Sequence, residues 1–286
     1  MAAKSNVTVR EAHQWASIFL DQHQHRQANA QTYLMWLMDW SLTQWVSQQD
    51  RVLTDQDWTH IQTMFQRIVN HEPIQYIVGY QDFMDMRFKV TPDTLIPREE
   101  TGGLIEALWT FQDHLPDQPK ILDIGTGTGI IPIIIKKYWS AAQLTAVDIS
   151  PAALKVAQEN AYIHQVAIDF RESDLFAALA GEVYDVIISN PPYIGQNELA
   201  VMDESVKRYE PSLALYADQQ GLAIYQQIAQ QVGDYLLPGG ILLLEIGYRQ
   251  GQAVQSLLKE AFPQAQIDIG QDFNGLDRYI FMHRKD

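Results

Sequence analysis

Four consecutive residues, Asn190-Pro191-Pro192-Tyr193, are suited to hold a flat, nitrogen-containing group. Each proline fixes its own φ and restricts the residue before it, so this stretch is stiff. Prolines have no backbone N–H, so the stretch offers carbonyl acceptors with few competing donors, and Asn190 adds a side-chain amide oxygen. Tyr193 supplies an aromatic face for stacking. The motif is therefore suited to gripping an NH2 group.

The chemistry that such a grip favours is alkylation of an amide or aryl-amine nitrogen, which is a weak nucleophile because its lone pair is delocalised. Two acceptors on the NH2 hydrogens would hold the nitrogen in line with an electrophile and stabilise the positive charge that develops during attack. The motif holds no histidine or carboxylate, which fits a proton that becomes acidic only after the new bond has begun to form. On its own, the motif could also be a rigid turn after a strand.

A glycine-rich turn at residues 125–129, Gly-Thr-Gly-Thr-Gly, follows the apolar run 121–124. Glycines are needed where the backbone takes positive φ or approaches a ligand closely. The next apolar run ends in Asp148, about 20 residues on, the spacing at which a carboxylate grips ribose hydroxyls. A dinucleotide fingerprint would want glycine where Ile130 stands. The turn therefore suits a nucleoside without phosphates, and S-adenosyl-L-methionine is the common one that also carries an electrophile.

The elements that must position these motifs alternate between strand and helix patterns. Asp174 and Leu175 follow a third short strand, where they are placed to meet an adenine, and the apolar run 184–189 before Asn190 is a fourth. All of these residues follow strands, and open α/β sheets bind ligands at the carboxyl ends of strands. The predicted fold is therefore α/β. Further strands are predicted at 241–246, 266–269 and 279–282.

Two features outside these motifs receive separate predictions. The stretch 194–221 is predicted to be a long loop suited to a lid or substrate rim. Glu245, inside the predicted fifth strand, is interpreted as a satisfied structural carboxylate, with a role in the site as the lesser alternative.

Composition excludes several classes of protein. The formal charge of −15 argues against a tight, sequence-independent grip on nucleic acid, which depends on Lys and Arg. The absence of cysteine excludes disulfides and thiolate metal sites and favours the cytoplasm. The eight histidines form no ligand pattern, so we predict no metal. We expect neither a signal peptide nor a membrane segment.

The chain divides into three parts by its hydrophobic period. Residues 1–73 show helical periodicity, with a capping box at Thr8 and Glu11, and are predicted to form a helical bundle that recognises a partner or serves as a stabilising cap. Residues 74–97 change to period two and are predicted to be a β-hairpin linker. Residues 98–286 are predicted to form the catalytic domain.

Longer segments of the chain match the motifs of one enzyme family. They are Gln75-Tyr76-Ile77-Val78-Gly79, Leu95-Ile96-Pro97-Arg98 with Glu100-Thr101, the loop from Asp123 to Gly129, Ala146-Val147-Asp148-Ile149-Ser150, Ser189-Asn190-Pro191-Pro192-Tyr193-Ile194, Tyr209-Glu210-Pro211 with Ala214-Leu215, Pro238-Gly239-Gly240 leading to Leu244-Glu245-Ile246-Gly247, and Gly275-Leu276-Asp277-Arg278. Over nearly its whole length the chain resembles the protein-(glutamine-N5) methyltransferases that modify peptide chain release factors. The Asn-Pro-Pro-Tyr element alone is shared with DNA adenine and other nitrogen methyltransferases.

This resemblance implies a class I S-adenosylmethionine-dependent methyltransferase with a Rossmann-like, seven-stranded, mostly parallel sheet, behind an α-helical domain that helps dock the release factor. The target would be the glutamine of a Gly-Gly-Gln loop. Asn190 and the Pro191 carbonyl would hold its amide, next to Pro192, and Tyr193 would stack on it. The residues implied to contact the cofactor are Gly125, Thr126, Gly127, Thr128, Gly129, Asp148, Leu175 and Asn190.

The chain departs from the family at the rim, where Arg98-Glu99-Glu100-Thr101-Gly102 replaces the usual Arg-Pro-Glu-Thr-Glu. Three alternatives stay open. One is a methyltransferase for a glutamine of a ribosomal protein. Another is an exocyclic-amine methyltransferase for DNA or RNA, which the acidic balance disfavours. The third is a non-catalytic cofactor-binding protein, which the intact loop, Asp148 and Asn190 disfavour.

Overall fold

The computed structural model describes residues 6–25, 29–195, 198 and 202–285. They fall into two compact units. One unit comprises Met1–Gly79 and Asp203–Tyr209, and the other comprises Tyr80–Met202 and Glu210–Asp286.

The first unit is helical. Its helices are α1 (Val9–Gln22), α2 (Ala30–Met38), α3 (Leu42–Ser47), α4 (Asp55–Val69), α5 (Ile74–Val78) and α9 (Glu204–Tyr209). The predicted capping box at Thr8 is confirmed: its hydroxyl accepts from the Glu11 N–H, and the Glu11 carboxylate accepts from the Thr8 N–H. The amphipathic faces of α1, α2 and α4 meet in a core that includes Leu20, Leu34 and Phe65. The helical prediction for this part of the chain is thereby confirmed.

The segment 203–209 belongs to this unit although it follows the Asn-Pro-Pro-Tyr motif in the chain. The hydroxyl of Tyr209, at the end of α9, donates to the Asn70 carbonyl at 3.0 Å. The prediction of a long loop over 194–221 is therefore wrong in part, since it contains α9 and the single turn α10 (Asp218–Gly221). Residues 196–197 and 199–201 of that prediction lie outside the described residues.

The second unit contains a seven-stranded sheet and a separate hairpin. The hairpin strands are β1 (Tyr80–Phe83) and β2 (Met86–Lys89); the sheet strands are β3 (Lys120–Ile124), β4 (Gln143–Asp148), β5 (Asp169–Glu172), β6 (Tyr184–Ser189), β7 (Leu236–Glu245), β8 (Gln266–Gln271) and β9 (Asp277–His283). The sheet order is β5-β4-β3-β6-β7-β9-β8. Neighbours from β5 to β7 are parallel, and β9 is antiparallel to both of its neighbours. The predicted seven-stranded, mostly parallel sheet is confirmed.

Helices cover both faces of this sheet. They are α6 (Gly102–Thr110), α7 (Ile130–Tyr138), α8 (Pro151–Ile163), α11 (Ala223–Gln231) and α12 (Gly251–Ala261). Neighbouring strand residues point to opposite faces, so Ile187 packs in one core and Ile188 in the other. Both faces are buried, which explains why the central strands are continuous apolar runs. Among the described residues, no helix is long and apolar enough to cross a bilayer.

The hairpin is shorter than the predicted range 74–97. Ile74–Val78 is the helix α5, which ends at Gly79 in the left-handed region, where glycine is favoured. The turn between β1 and β2 carries positive φ at Met84 and Asp85. Residues 90–98 form no strand. Period-two alternation over so few residues did not separate a helical turn from a strand.

Candidate active site

A cavity opens beyond the carboxyl ends of β3, β4 and β6. Most residues predicted for the site lie in its wall: Gly125, Thr126, Gly127, Thr128, Asp148, Asp174, Leu175, Asn190, Pro191 and Pro192. Gly129 and Tyr193 lie outside that wall. The strand ends thus bring together segments that are far apart in the chain, as the parallel order requires.

The glycine-rich turn is anchored through its backbone. The N–H groups of Gly125 and Thr126 both donate to the Val147 carbonyl on β4, at 2.9 and 3.0 Å. Gly125 and Gly127 have φ values of 73° and 54°, which side-chain-bearing residues rarely adopt. A Cβ at Gly127 would meet nothing within 4 Å, so this backbone faces open space. The turn therefore presents bare backbone to the cavity.

Gly129 has a different reason to be glycine. Its φ is 81°, and a Cβ there would lie 3.1 Å from the Ala157 Cβ and 3.1 Å from the Ile133 Cδ1. The missing side chain lets α7 begin close against α8. Gly129 consequently packs elements together, and its predicted contact with the cofactor stays a prediction.

Asp148 is the last residue of β4, and its carboxylate is oriented by backbone donors. One oxygen accepts from the Gly127 N–H at 2.9 Å and the other from the Ser150 N–H at 2.9 Å. Burial raises the pKa of Asp148, and these hydrogen bonds oppose that rise. The carboxylate is thus fixed at the cavity wall and keeps further lone pairs for donors.

Three buried polar atoms beneath the turn have no hydrogen-bond partner among the described residues. They are the two carboxyl oxygens of Asp123 and the hydroxyl oxygen of Thr126. Burial raises the pKa of Asp123 to about 7, and the nearby charge of Asp148 adds to this rise. Of these two residues only Thr126 lines the cavity, so its hydroxyl is the one that a polar ligand group can reach.

Leu175 is held in an unusual backbone conformation at the cavity. Its φ is 47°, in the left-handed region. The Ser173 hydroxyl donates to the Leu175 carbonyl at 2.9 Å and accepts from the Ala178 N–H at 3.0 Å, which stabilises the turn. The side chain is buried and lines the wall, as does half-exposed Ile149, which the sequence did not single out for this role.

Asn190 follows β6 directly, and its side chain is held from another element. Its Nδ2 donates to the Thr101 hydroxyl at 3.1 Å. The Ser189 hydroxyl donates to the Ile124 carbonyl at 2.8 Å, which ties the end of β6 to β3. Within the described part of the chain, no hydrogen bond to the Asn190 Oδ1 is formed. This oxygen therefore remains available as an acceptor.

Glu245, the last residue of β7, accepts from the Thr101 hydroxyl at 2.8 Å. Burial raises the pKa of Glu245 to about 7. Tyr193 also lies near this carboxyl, and burial raises the pKa of the Tyr193 phenol. The interpretation of Glu245 as a satisfied carboxylate is confirmed, but its partner Thr101 is bonded to Asn190, so the residue is connected to the site.

The rim of the cavity contains an ion pair that the sequence did not predict. The Arg98 guanidinium donates to the Glu210 carboxylate, which also accepts from the Ile96 N–H at 3.2 Å. The Glu210 side chain is 1% exposed and the Arg98 side chain 36%. The signal that could have found the pair was the presence of both residues in family motifs.

Asn160 is a second residue that sequence reasoning missed. It is fully buried on α8, where its amide accepts from the Lys89 N–H and donates to the carbonyls of Lys89 and Thr128, at 2.7, 3.0 and 2.9 Å. It thus ties the hairpin strand β2 to the glycine-rich turn. An asparagine on the buried face of a helix indicates hydrogen bonds to other elements, and this position in the sequence could have identified Asn160.

The sheet order and the position of the glycine-rich turn define the structural class of the protein. A mostly parallel seven-stranded sheet with helices on both faces, a glycine-rich turn after β3 and a carboxylate at the end of β4 form the class I methyltransferase fold. The structure is similar to that of a methyltransferase from Pyrococcus furiosus, with a TM-score of 0.52, 15% identity, and coverage of 77% of this chain and 97% of the other. The family model for the methyltransferase small domain matches residues 106–213.

The family is defined by closer relatives. The family model for the PrmC N-terminal domain matches residues 11–79. The release factor glutamine methyltransferase of Lactococcus lactis is 44% identical over 236 residues, which are 82% of this chain and 86% of the relative. That of Enterococcus faecalis is 37% identical over 266 residues, or 92% and 95% of the two chains. This chain belongs to the release factor glutamine methyltransferase family.

Proposed function

We propose that this protein transfers a methyl group from S-adenosyl-L-methionine to the side-chain amide nitrogen of the glutamine in the Gly-Gly-Gln motif of peptide chain release factors. The single observation that carries the proposal is the Asn190 side chain at the cavity wall, tethered through its nitrogen and with its oxygen available. Relatives with release factor glutamine methyltransferase names cover nearly the whole chain and support the substrate.

The residues on one side of the cavity fit the cofactor. Gly127 leaves open space beside its backbone, and the Asp148 carboxylate can accept from ribose hydroxyls. The Thr126 hydroxyl lines the cavity and has no hydrogen-bond partner among the described residues, so it can bond a polar group of the cofactor. When bound, the cofactor supplies an electrophilic methyl group on a sulfonium.

Asn190 and Pro191 would act on the substrate. The Asn190 Oδ1 and the Pro191 carbonyl would each accept one hydrogen of the glutamine NH2, which fixes the direction of the nitrogen. As the C–N bond forms, the bond from the methyl carbon to the cofactor sulfur would break and leave a neutral thioether, so positive charge passes to the glutamine nitrogen, where both acceptors stabilise it. The nitrogen loses a proton once the bond has formed, so no strong base is required before attack. Tyr193 and Pro192 would complete the acceptor site.

The surroundings in which this reaction takes place are also part of the proposal. We infer a cytoplasmic protein that acts on a protein substrate without binding nucleic acid or membrane directly. The formal charge of −15 and the absence of cysteine support this. The helical unit would recognise the release factor.

Mass spectrometry of competing acceptors tests the proposal. A release factor, a ribosomal protein, a DNA and an RNA are incubated together with the protein and S-adenosyl-L-methionine. We expect one added methyl on the Gly-Gly-Gln glutamine, lost with Asn190→Ala. A methyl on another acceptor instead would overturn the substrate, and no methyl on any acceptor together with no cofactor binding would overturn the activity.

A further inference from the structure

We infer that Thr101 and Glu245 are positioning residues that fix which end of the Asn190 carboxamide faces the substrate. The inference rests on the proposed function, because it concerns the acceptor for the glutamine NH2. It assigns a role to two residues outside the Asn-Pro-Pro-Tyr motif.

The need for such a device follows from the chemistry of asparagine. A carboxamide has an acceptor oxygen and a donor NH2 of nearly the same shape. If the Asn190 amide rotated by half a turn, it would present donors to a substrate NH2 that is itself a donor. The acceptor site would then be lost without any change in packing. The motif alone does not select one orientation.

Two hydrogen bonds that link Glu245 to Thr101 and Thr101 to Asn190 select one orientation of the Asn190 amide. Thr101 has one hydroxyl proton, which it donates to the Glu245 carboxylate at 2.8 Å. An ionised carboxylate only accepts, so this proton is committed. The Thr101 oxygen can then offer only lone pairs to Asn190, and the Asn190 Nδ2 satisfies one of them at 3.1 Å. The Oδ1 is thereby directed away from Thr101.

The three residues come from separate elements that the sheet aligns. Ser189 and Leu244 are register partners on β6 and β7, so Asn190, the residue after β6, lies beside Glu245, the last residue of β7. Thr101 reaches both from the turn before α6. Thr101 and Glu245 are 2% and 1% exposed, so water does not compete for these hydrogen bonds.

A purely structural role would not require a carboxylate at position 245. Burying a charge without a bonded counter-charge is unfavourable. Arg278, the nearby cation, is paired with Asp272 instead. A neutral side chain could fill the same space, but it would not force the direction of the Thr101 proton. The charge is explained if that direction matters.

The same logic predicts a dependence on pH. Besides Thr101, the groups that face the Glu245 carboxyl are Arg278, which favours ionisation, Glu100, which opposes it, and the phenols of Tyr193, Tyr225 and Tyr279. Burial outweighs these and raises the pKa of Glu245 to about 7. Below that pH the carboxyl is neutral and can donate to Thr101, so the direction is lost. Above it the direction is enforced, and turnover should rise with pH through about 7.

Matched variants of Thr101 provide the kinetic test. Thr101→Val keeps the shape but removes the hydroxyl, and Thr101→Ser keeps the hydroxyl. We expect Thr101→Val to lower kcat by roughly 10- to 100-fold, with the Kd for S-adenosyl-L-methionine within about twofold of the parent. Thr101→Ser should restore most of kcat. Thr110→Val, the same change on the exposed end of α6, should have no effect.

A spectroscopic test works without methyl transfer. In protein labelled with 15N-asparagine, the Asn190 Nδ2 protons should titrate with a midpoint near pH 7, and Glu245→Gln should abolish this titration. Unchanged kcat in Thr101→Val, or an Asn190 signal that does not titrate in the parent, would overturn the inference. If the parent fails to methylate a release factor while its Asn190 signal titrates, the proposed function fails and the positioning role stands.

Discussion

The two sides of the cavity are built by different means. On the cofactor side, residues 125–129 and Asp148 are neighbours across β3 and β4, and backbone N–H groups hold them. On the acceptor side, the Asn190 side chain is held by a hydrogen bond to Thr101, which is 89 residues earlier in the chain. Thr101 is in turn held by Glu245, and these two residues are 144 positions apart in the chain. Local chain geometry therefore secures the first side, whereas the second depends on closure of the whole sheet.

The difference has a functional meaning. Backbone donors cannot be removed by a side-chain substitution, so the cofactor side should lose affinity gradually as individual side chains are changed. A chain of side-chain hydrogen bonds fails when any member is removed. We therefore expect defects on the acceptor side to appear in turnover and defects on the cofactor side to appear in binding.

The largest effect should come from Asn190→Ala. This change removes the acceptor oxygen that would hold the glutamine NH2, and loss of one such group slows turnover by about 10²–10³-fold. Thermal unfolding should change little, because the side chain lies at a cavity wall. Steady-state kinetics with a release factor would measure it. Turnover equal to that of the parent would refute the assigned role.

Asn160→Ala tests whether the cofactor side depends only on residues near one another in the chain, or also on the bonds of Asn160 to Lys89 and Thr128. Asn160 satisfies two groups of Lys89 and the Thr128 carbonyl, and all three would lose their partner. We expect a loss of about 2–4 kcal/mol in the free energy of unfolding, measured in urea. Ser256→Ala on α12, whose exposed hydroxyl bonds only its own helix, is the control. Equal losses in the two variants would show that Asn160 is not a tie between elements.

The sequence predicted the local features of the site and missed most of the distant ones. Glycine at positive φ and Asp148 at a strand end are recorded in short patterns, because the backbone conformation there depends on neighbouring residues. The bond from Arg98 to Glu210 spans 112 residues, and nothing near either residue specifies the other. The α/β fold class was predictable for the same reason as the glycine-rich turn. The apolar runs of the strands and the helical periods between them are patterns of neighbouring residues.

Predictions from short stretches of sequence were also wrong at two segments, one predicted as part of a hairpin and one predicted as a loop. Ile74–Val78 was included in the predicted β-hairpin but forms helix α5, since Pro73 begins it and Gly79 ends it within a few residues. Part of 194–221 forms α9, which packs with the helical unit rather than forming a rim loop. Tertiary packing decided the second of these segments.

Asp148→Ala should have a smaller effect, on binding alone. It removes an oriented carboxylate from the cofactor side, and a hydrogen bond to a charged group contributes about 1.5–3 kcal/mol. We expect the Kd for S-adenosyl-L-methionine to rise by about 10- to 100-fold in calorimetry, with kcat at saturating cofactor largely retained. Glu172→Ala is the matched control, since Glu172 is exposed on β5 directly opposite. A loss of kcat without a loss of affinity would contradict the division between the two sides.

The smallest effect should come from Arg98→Ala. This variant tests whether the rim, like the acceptor side, depends on a bond between side chains that are distant in the chain. The Glu210 side chain is 1% exposed, so removing its cation leaves a buried charge whose one remaining partner among the described residues is the Ile96 N–H. Because Arg98 itself is 36% exposed, water can replace part of it, and we expect about 1–2 kcal/mol of destabilisation in urea rather than the larger loss of a fully buried pair.

The comparison for this pair is Lys89→Ala, because Lys89 and Glu159 form an ion pair whose partners are 44% and 39% exposed. Surface pairs contribute little, so Lys89→Ala should cost less than about 1 kcal/mol. Adding Glu210→Gln to Arg98→Ala removes the buried charge and should recover part of the stability. If Arg98→Ala costs no more than Lys89→Ala, or if the second change brings no recovery, burial of Glu210 is not what makes the rim pair matter, and the rim would then depend on packing of its apolar residues alone.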